Sequence, residues 1–213
     1  MNFFKNLDSE IKNIVERNEE LSKIGEYLGM FSDELTKYFG IAVGFSGLNE
    51  LLILRTLYHV IEYEYGAGFK PEKYTRYISI FYHKKANIVL GSNIQLSVSV
   101  NGEKKKLRPD IVVYKPRKDK INEIDKLIAA IEVKAYPVEG KKTIEKVANR
   151  LKTIREYYEK ANVALILYST YGVKEKEAEE ICSNKGVNLV VIENNKNPIR
   201  DVFKRLITLK SLK

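Results

Sequence analysis

Three residues of this 213-residue chain have the types and spacing for metal-assisted chemistry: Asp110, Glu132 and Lys134. Asp110 follows Pro109 in the chain's only Pro-Asp pair and stands directly before the apolar run Ile111-Val112-Val113. Glu132 and Lys134 interrupt a second apolar run that opens at Ile128. Side chains alternate along a strand, so Ile128, Ala130, Glu132 and Lys134 share one face, and Ala129, Ile131, Val133 and Ala135 the other. A charge buried there without a partner would cost several kcal/mol. Either this face emerges into solvent at the strand's end, or it opens into a site. Were the strands of Asp110 and Glu132 neighbours, the two carboxylates would form an oxygen pair for a hard divalent cation, with a lysine beside it. Mg²⁺ commonly takes one or two carboxylates plus substrate phosphate. That combination suits metal-assisted phosphodiester hydrolysis.

The spacing alone is weak. Glu-x-Lys recurs at Glu10–Lys12, Glu103–Lys105, Glu132–Lys134 and Glu139–Lys141, and only the third lies inside an apolar strand. A proline opening a strand is ordinary, since it has no N–H to give the ladder. An aspartate beside it is also common turn chemistry.

The elements that must position these residues follow from periodicity. Leu7, Ile11, Ile14, Val15, Leu21, Ile24 and Leu28 recur at helical spacing, so the first forty residues read as helix, with a short piece around Asp33–Phe39 ending at Gly40. Ser46 is a candidate N-cap for a helix to about Tyr65, closed by Gly66-Ala67-Gly68. Tyr74–Tyr82 and Asn87–Leu90 read as extended. Ile94–Val100 alternates, Asn101-Gly102 suggests a tight turn, and Leu107–Tyr114 is expected as its partner strand. Lys115–Lys126 reads as a charged loop before the strand Ile128–Tyr136. A helix over about Lys142–Lys160 buries Ile144, Val147, Ala148, Leu151, Ile154 and Tyr158. Then come the strand Val163–Ser169, a helix near Lys174–Lys185, the strand Val187–Ile192 and a closing helix after Pro198. Continuous apolar strands alternating with helices predict a mixed sheet covered on both faces.

Composition narrows the function classes. With 44% hydrophobic and 31% charged residues the chain can bury a core, and no apolar run approaches the roughly 18 residues of a membrane span. The charged N-terminus does not read as a signal peptide, and the single cysteine, Cys182, rules out an internal disulfide, so a cytoplasmic setting is expected. The net charge of +9 favours a polyanionic partner, nucleic acid before acidic membrane. Residues 101–120 carry eight basic and three acidic side chains, a net +5 around Asp110. Lys104, Lys105, Lys106, Arg108, Lys115, Arg117 and Lys118 are therefore the expected nucleic-acid contacts, with Lys120 in the same cluster. Abundant lysine and glutamate with a lone glutamine, Gln95, fit a thermophile.

Other chemistries fare worse. His59, His83 and Cys182 lack zinc-ligand spacing. Gly140-Lys141-Lys142-Thr143 lacks the upstream glycine and the Ser/Thr a phosphate loop needs. Gly66-Ala67-Gly68 reads as a helix stop. Tyr63, Tyr65, Tyr74, Tyr77 and Tyr82 serve packing more readily than base stacking.

Pro109-Asp110, then after 21 residues Glu132-Val133-Lys134, resembles the signature of the PD-(D/E)XK nuclease superfamily. The resemblance spans roughly Ser46–Ser169, and the composition is similar to that of proteins from crenarchaea or their viruses. It implies a restriction-endonuclease-like α/β core: helix, three-stranded meander, helix, strand. It further implies Mg²⁺ (or Mn²⁺) on Asp110 and Glu132 with the Val133 carbonyl, and Lys134 orienting water and stabilising the transition state. The family often adds an acid from the preceding helix, and Glu50 is the candidate, since it falls on the apolar arc of Ile53, Leu54, Leu57 and Ile61. Glu64 lies near the same arc and is expected in solvent. Tyr136 and Arg150 are possible groove residues. The expected whole is one domain: a helical addition over 1–45, a motif-bearing core over 46–169 and a βα extension over 170–213. Its expected activity is DNA cleavage, with RNA not excluded, on linear or branched repair and recombination substrates, by a homodimer. The rivals are a non-cutting nucleic-acid binder of the same fold and a basic scaffold without chemistry.

Overall fold

The apolar stretches resolve into a seven-stranded sheet between two helical layers in a computed structural model of the chain. It describes residues 2–39, 45–74, 78–100, 102–118 and 120–207. The helices α1 (Asn2–Arg17), α2 (Ser22–Phe39) and α3 (Phe45–Tyr65) lead into β1 (Phe69–Tyr74), β2 (Ser79–His83) and β3 (Ile88–Ser92). A hairpin of β4 (Leu96–Val100) and β5 (Glu103–Leu107) precedes β6 (Ile111–Arg117) and β7 (Lys120–Lys134). The remainder runs α4 (Lys141–Tyr157), β8 (Asn162–Leu167), α5 (Glu175–Ser183), β9 (Asn188–Val191) and α6 (Ile199–Ile207). In the main sheet the order is β1-β2-β3-β6-β7-β8-β9, antiparallel as far as β7 and parallel beyond it. The parallel pairs need crossovers, which α4 and α5 supply.

One face of the sheet buries Ile111, Val113, Ile131 and Val133 against the apolar stripes of α1, α2, α3 and α6. The other buries Val112, Tyr114 and Ala130 against Ile144, Val147, Ala148 and Leu151 of α4 and Ala178 and Cys182 of α5. The N-terminal helices are thus part of the main core. Backbone bonds from Leu21 N to Asn197 O and from Ile199 N to Glu19 O tie the α1–α2 turn to the start of α6.

Several expectations are corrected. The partner of β4 is the lysine-rich β5, and Leu107–Tyr114 is not one strand. Arg108, Pro109 and Asp110 lie between β5 and β6, and β6 pairs with β3 and β7 instead. The charged segment 115–126 is no loop, because β6 and β7 continue as a twisted ribbon to a turn near Lys118. Buried Tyr114 anchors that ribbon by donating its hydroxyl to Ile121 O at 2.8 Å. Ile128 faces the Ile131 side, not the Glu132 side, since a bulge pairs Val113 with Ala129 and Tyr114 with Leu127. A bulge adds one residue and resets the alternation. Helix α2 is continuous through Asp33, and α3 begins at Phe45, so Ser46 lies within the helix. Glu64 is exposed, as expected, and there it pairs with Lys204 of α6 at 2.6 Å. As expected, α3 stops at Tyr65 and Gly66 takes φ +81°, where a side chain would be strained. Gly40, Asn101 and Tyr77 lie outside the described residues.

Candidate active site

Strands β6 and β7 are paired at Ile111 and Ile131 and then part. Beyond that point the Asp110 side chain replaces the missing ladder: Val133 N–H donates to Asp110 Oδ2 at 2.7 Å. Lys134 Nζ reaches the same oxygen at 2.9 Å, and also Glu132 Oε2 at 3.4 Å and the Val133 carbonyl at 2.9 Å. Asp110, Glu132 and Lys134 therefore converge, though Glu132 is fully buried and Lys134 only partly.

Burying a carboxylate beside another is costly, and the site shows how that cost is met. Burial and then the Asp110 charge push the Glu132 carboxyl up to about 7, against the opposing charges of Arg150 and Lys134. Arg150, from α4, places Nη2 on Glu132 Oε1. The negative neighbours raise the Lys134 ammonium above its ordinary value despite its own desolvation, so it stays charged. Arg150 was only a loose groove candidate from sequence. Its spacing on α4 carried no sign of a partner on β7.

The Lys134 ammonium rests on Asp110 Oδ2, Glu132 Oε2 and the Val133 carbonyl oxygen. Those are all hard oxygen donors, two of them carboxylate, which is the donor set a small divalent cation takes. The residues present thus fit such an ion. Among the described residues no group of three or more His, Cys, Asp and Glu side chains is gathered for a metal.

Glu50 reaches this site electrostatically. Partial burial first, and the Asp110 charge second, raise its carboxyl above the ordinary range, while Lys134 opposes them. It stands in the first turns of α3. Glu62 is structural by comparison. Its Oε1 accepts Gly68 N–H at 3.1 Å and Phe69 N–H at 3.4 Å, closing the turn after α3.

The basic cluster splits. Lys104, Lys105 and Lys106 are exposed along β5, and exposed Arg108 leads from it toward Asp110. Lys115, Arg117 and Lys118 lie toward and just past the other end of β6, roughly 17 to 26 Å from Asp110 at the strand rise. Arg117 is engaged there with Glu123 at 3.5 Å. The extended ribbon carries this half of the cluster away from the site, so it does not surround Asp110.

A cleft of about 620 Å³ runs beside the site between α4 and the end of β5, with Lys134 and Arg150 in its wall. Lys146, Asn149 and Thr153 of α4 also line it. These three were missed as candidates, although their spacing beside the buried row of α4 was open to view. Tyr136, half exposed, lies just beyond Lys134. No helix among the described residues is long and apolar enough to cross a membrane. No protein-family model matches the chain, and no curated protein matches it significantly.

Proposed function

We propose that the chain is a Mg²⁺- or Mn²⁺-dependent nuclease of the PD-(D/E)XK type, cutting phosphodiester bonds in DNA. The observation that carries this reading is the single cation position made by Asp110, Glu132 and the Val133 carbonyl, occupied by the Lys134 ammonium. The order α3, antiparallel β-ribbon, α4, β8 supports a restriction-endonuclease-like core around it. A divalent cation held by Asp110, Glu132 and the Val133 carbonyl would supply Lewis-acid activation of water and phosphate. The chain's own residues do the rest. Asp110 is fixed by the Val133 N–H, so its second oxygen keeps one orientation. Arg150 holds the buried Glu132 carboxylate in place. With the ion in that position, the Lys134 ammonium would be released from it and would bring positive charge to the developing phosphorane. Glu50 is a third carboxylate, close enough to feel the charges of Asp110 and Lys134.

The test is a cleavage panel of linear, nicked, flapped and branched DNA plus RNA, with Mg²⁺, Mn²⁺ and EDTA arms. Cation-dependent cutting that Asp110→Asn, Glu132→Gln and Lys134→Ala each abolish is the expected result. No cutting of any substrate with either ion would replace this reading with a non-cutting binder of the same fold. The homodimer suited to two-strand cleavage belongs to the same proposal and is read from the molar mass of the complex.

A further inference from the structure

We infer that the cleft between α4 and the end of β5 is the track of a single nucleic-acid strand leading to Lys134. The inference rests on the nuclease reading only for the chemistry at the end of that track.

Three observations carry it. Lys146, Asn149, Arg150 and Thr153 recur at i, i+3, i+4 and i+7, which places them along one side of α4, and all four line the cleft. At 1.5 Å per residue that row extends over roughly 10 Å, a length that spans more than one phosphate of a strand. Second, among the described residues the cleft holds an uncommitted cation, Lys146, beside Lys134 and Arg150, which are shared with Asp110 and Glu132. Lys152 pairs with Glu156 at 3.6 Å, Lys141 pairs with Glu177, and Arg155 donates to Gly186 O at 2.9 Å. Lys146 makes no ion pair among the described residues. Lys134 and Arg150 already face Asp110 and Glu132, so Lys146, with the polar Asn149 and Thr153, is the part of the lining that suits a phosphate.

Third, the opposite wall is apolar. Leu107 and Val138 line it, and Val138 is 79% exposed while Tyr136 beyond it is 50% exposed. Exposed apolar and aromatic surface beside a basic row suits bases whose faces are open, and a duplex keeps those faces stacked inside. The cleft's volume, about 620 Å³, is in the range of small-ligand sites, roughly 300–1,000 Å³, which suits a short unpaired segment. The occupant is therefore an unpaired segment: a flap, an end or a loop beside the scissile bond.

The experiment measures binding in EDTA, so no cutting intervenes. The probes are a labelled twelve-nucleotide oligothymidylate and a labelled duplex of equal length, followed by anisotropy across a salt series. Wild type is compared with Lys146→Ala/Asn149→Ala and with Lys115→Ala/Lys118→Ala at the distant end of β6. All four side chains lie outside the cores, and Tm confirms that both variants fold. The expected result is preference for the single strand, with affinity about tenfold lower in the α4 variant and a salt slope shallower by about 0.7 for each phosphate no longer neutralised. The β6 variant should stay within about twofold of wild type, since its removed charges act only through weak long-range attraction. Equal single-strand affinity in wild type and the α4 variant overturns the inference, as does preference for duplex. A chain that cuts nothing with Mg²⁺ yet shows the Lys146-dependent binding loses the nuclease reading and keeps the strand cleft.

Discussion

The Asp110 carboxylate and the Lys134 ammonium meet at 2.9 Å where β6 and β7 part, and the same Asp110 oxygen accepts the Val133 N–H at 2.7 Å. One carboxylate thus closes a backbone ladder and holds a cation. Asp110→Asn keeps an acceptor for Val133 N–H and should cost little stability. Asp110→Ala leaves that N–H without a partner and should cost about 1–3 kcal/mol. Cleavage should fall by orders of magnitude in both. Urea denaturation of the two variants checks this, and equal stability would mean that water or another group satisfies Val133.

Arg150 and Glu132 form a pair in which only one partner is fully buried. Arg150→Met should destabilise the fold by roughly 2 kcal/mol, less than the 3–5 of a wholly buried pair because Lys134 remains beside Glu132. Adding Glu132→Gln to Arg150→Met should restore much of that loss, since no charge is then left in the core. A double-mutant cycle measures the coupling. Additive effects would show that the two side chains do not support each other. Cleavage should not return in the double variant.

Cation binding to the folded state should raise stability by linkage. A concentration a hundred times the dissociation constant adds about 2.7 kcal/mol, provided the unfolded chain does not bind. Mg²⁺ and Mn²⁺ should each raise the Tm of wild type, and chelation should return it. In Asp110→Asn and Glu132→Gln the increment should vanish or shrink severely. An equal increment in these variants would place the ion elsewhere.

Glu50→Gln and Glu62→Gln separate a site acid from a structural one. Glu50 feels Asp110 and Lys134, whereas Glu62 caps the turn at Gly68 and Phe69. Glu50→Gln should lower cleavage at least about tenfold, as loss of a positioned charged group does, and weaken the response to Mg²⁺ with little change in Tm. Glu62→Gln should leave cleavage near wild type and lower the Tm slightly. Equal activity in the two variants would remove Glu50 from the mechanism.

Which of these features the sequence announces depends on how local their cause is. Alternation over two residues puts Glu132 beside Lys134 without reference to any other element. Helical spacing likewise brings Glu50 to the inward side of α3. The bulge at Ile128 is not local, because it answers the register of β6, and it reverses Ile128's face. The lysine run of β5 has no alternation of its own and becomes a strand only through pairing with β4. Spacing cannot show that Arg150 meets Glu132, since the contact exists only once α4 crosses back over β7. Charge counting fails for a similar reason: Lys104 and Lys118 lie close in sequence but at opposite ends of an extended strand and its flanking hairpin.

Asp8 of α1 offers a pH test of the N-terminal helices' attachment. Arg55 of α3 donates Nε to Asp8 Oδ1 at 2.6 Å and Nη2 to Oδ2 at 2.9 Å, and buried His59 Nε2 lies 3.1 Å from Oδ1. Burial alone would raise the Asp8 carboxyl, but the hydrogen bonds from His59 and Arg55, with the Arg55 charge, hold it well below the usual carboxylate range. A carboxyl depressed on folding stabilises the native state above its unfolded value, near 3.9. That contribution fades as pH falls below it toward the folded value. Asp8 is 39% exposed, so solvent screening limits the effect to about 1 kcal/mol. Asp8→Asn should therefore be less stable than wild type at pH 7, and the gap should narrow steadily below pH 4. Chemical denaturation of both proteins from pH 7 to about 2.5 gives the difference directly, with acid effects elsewhere cancelling between them. A gap independent of pH would mean that Asp8 acts through packing and shape, and that its charge contributes nothing to holding α1 on α3.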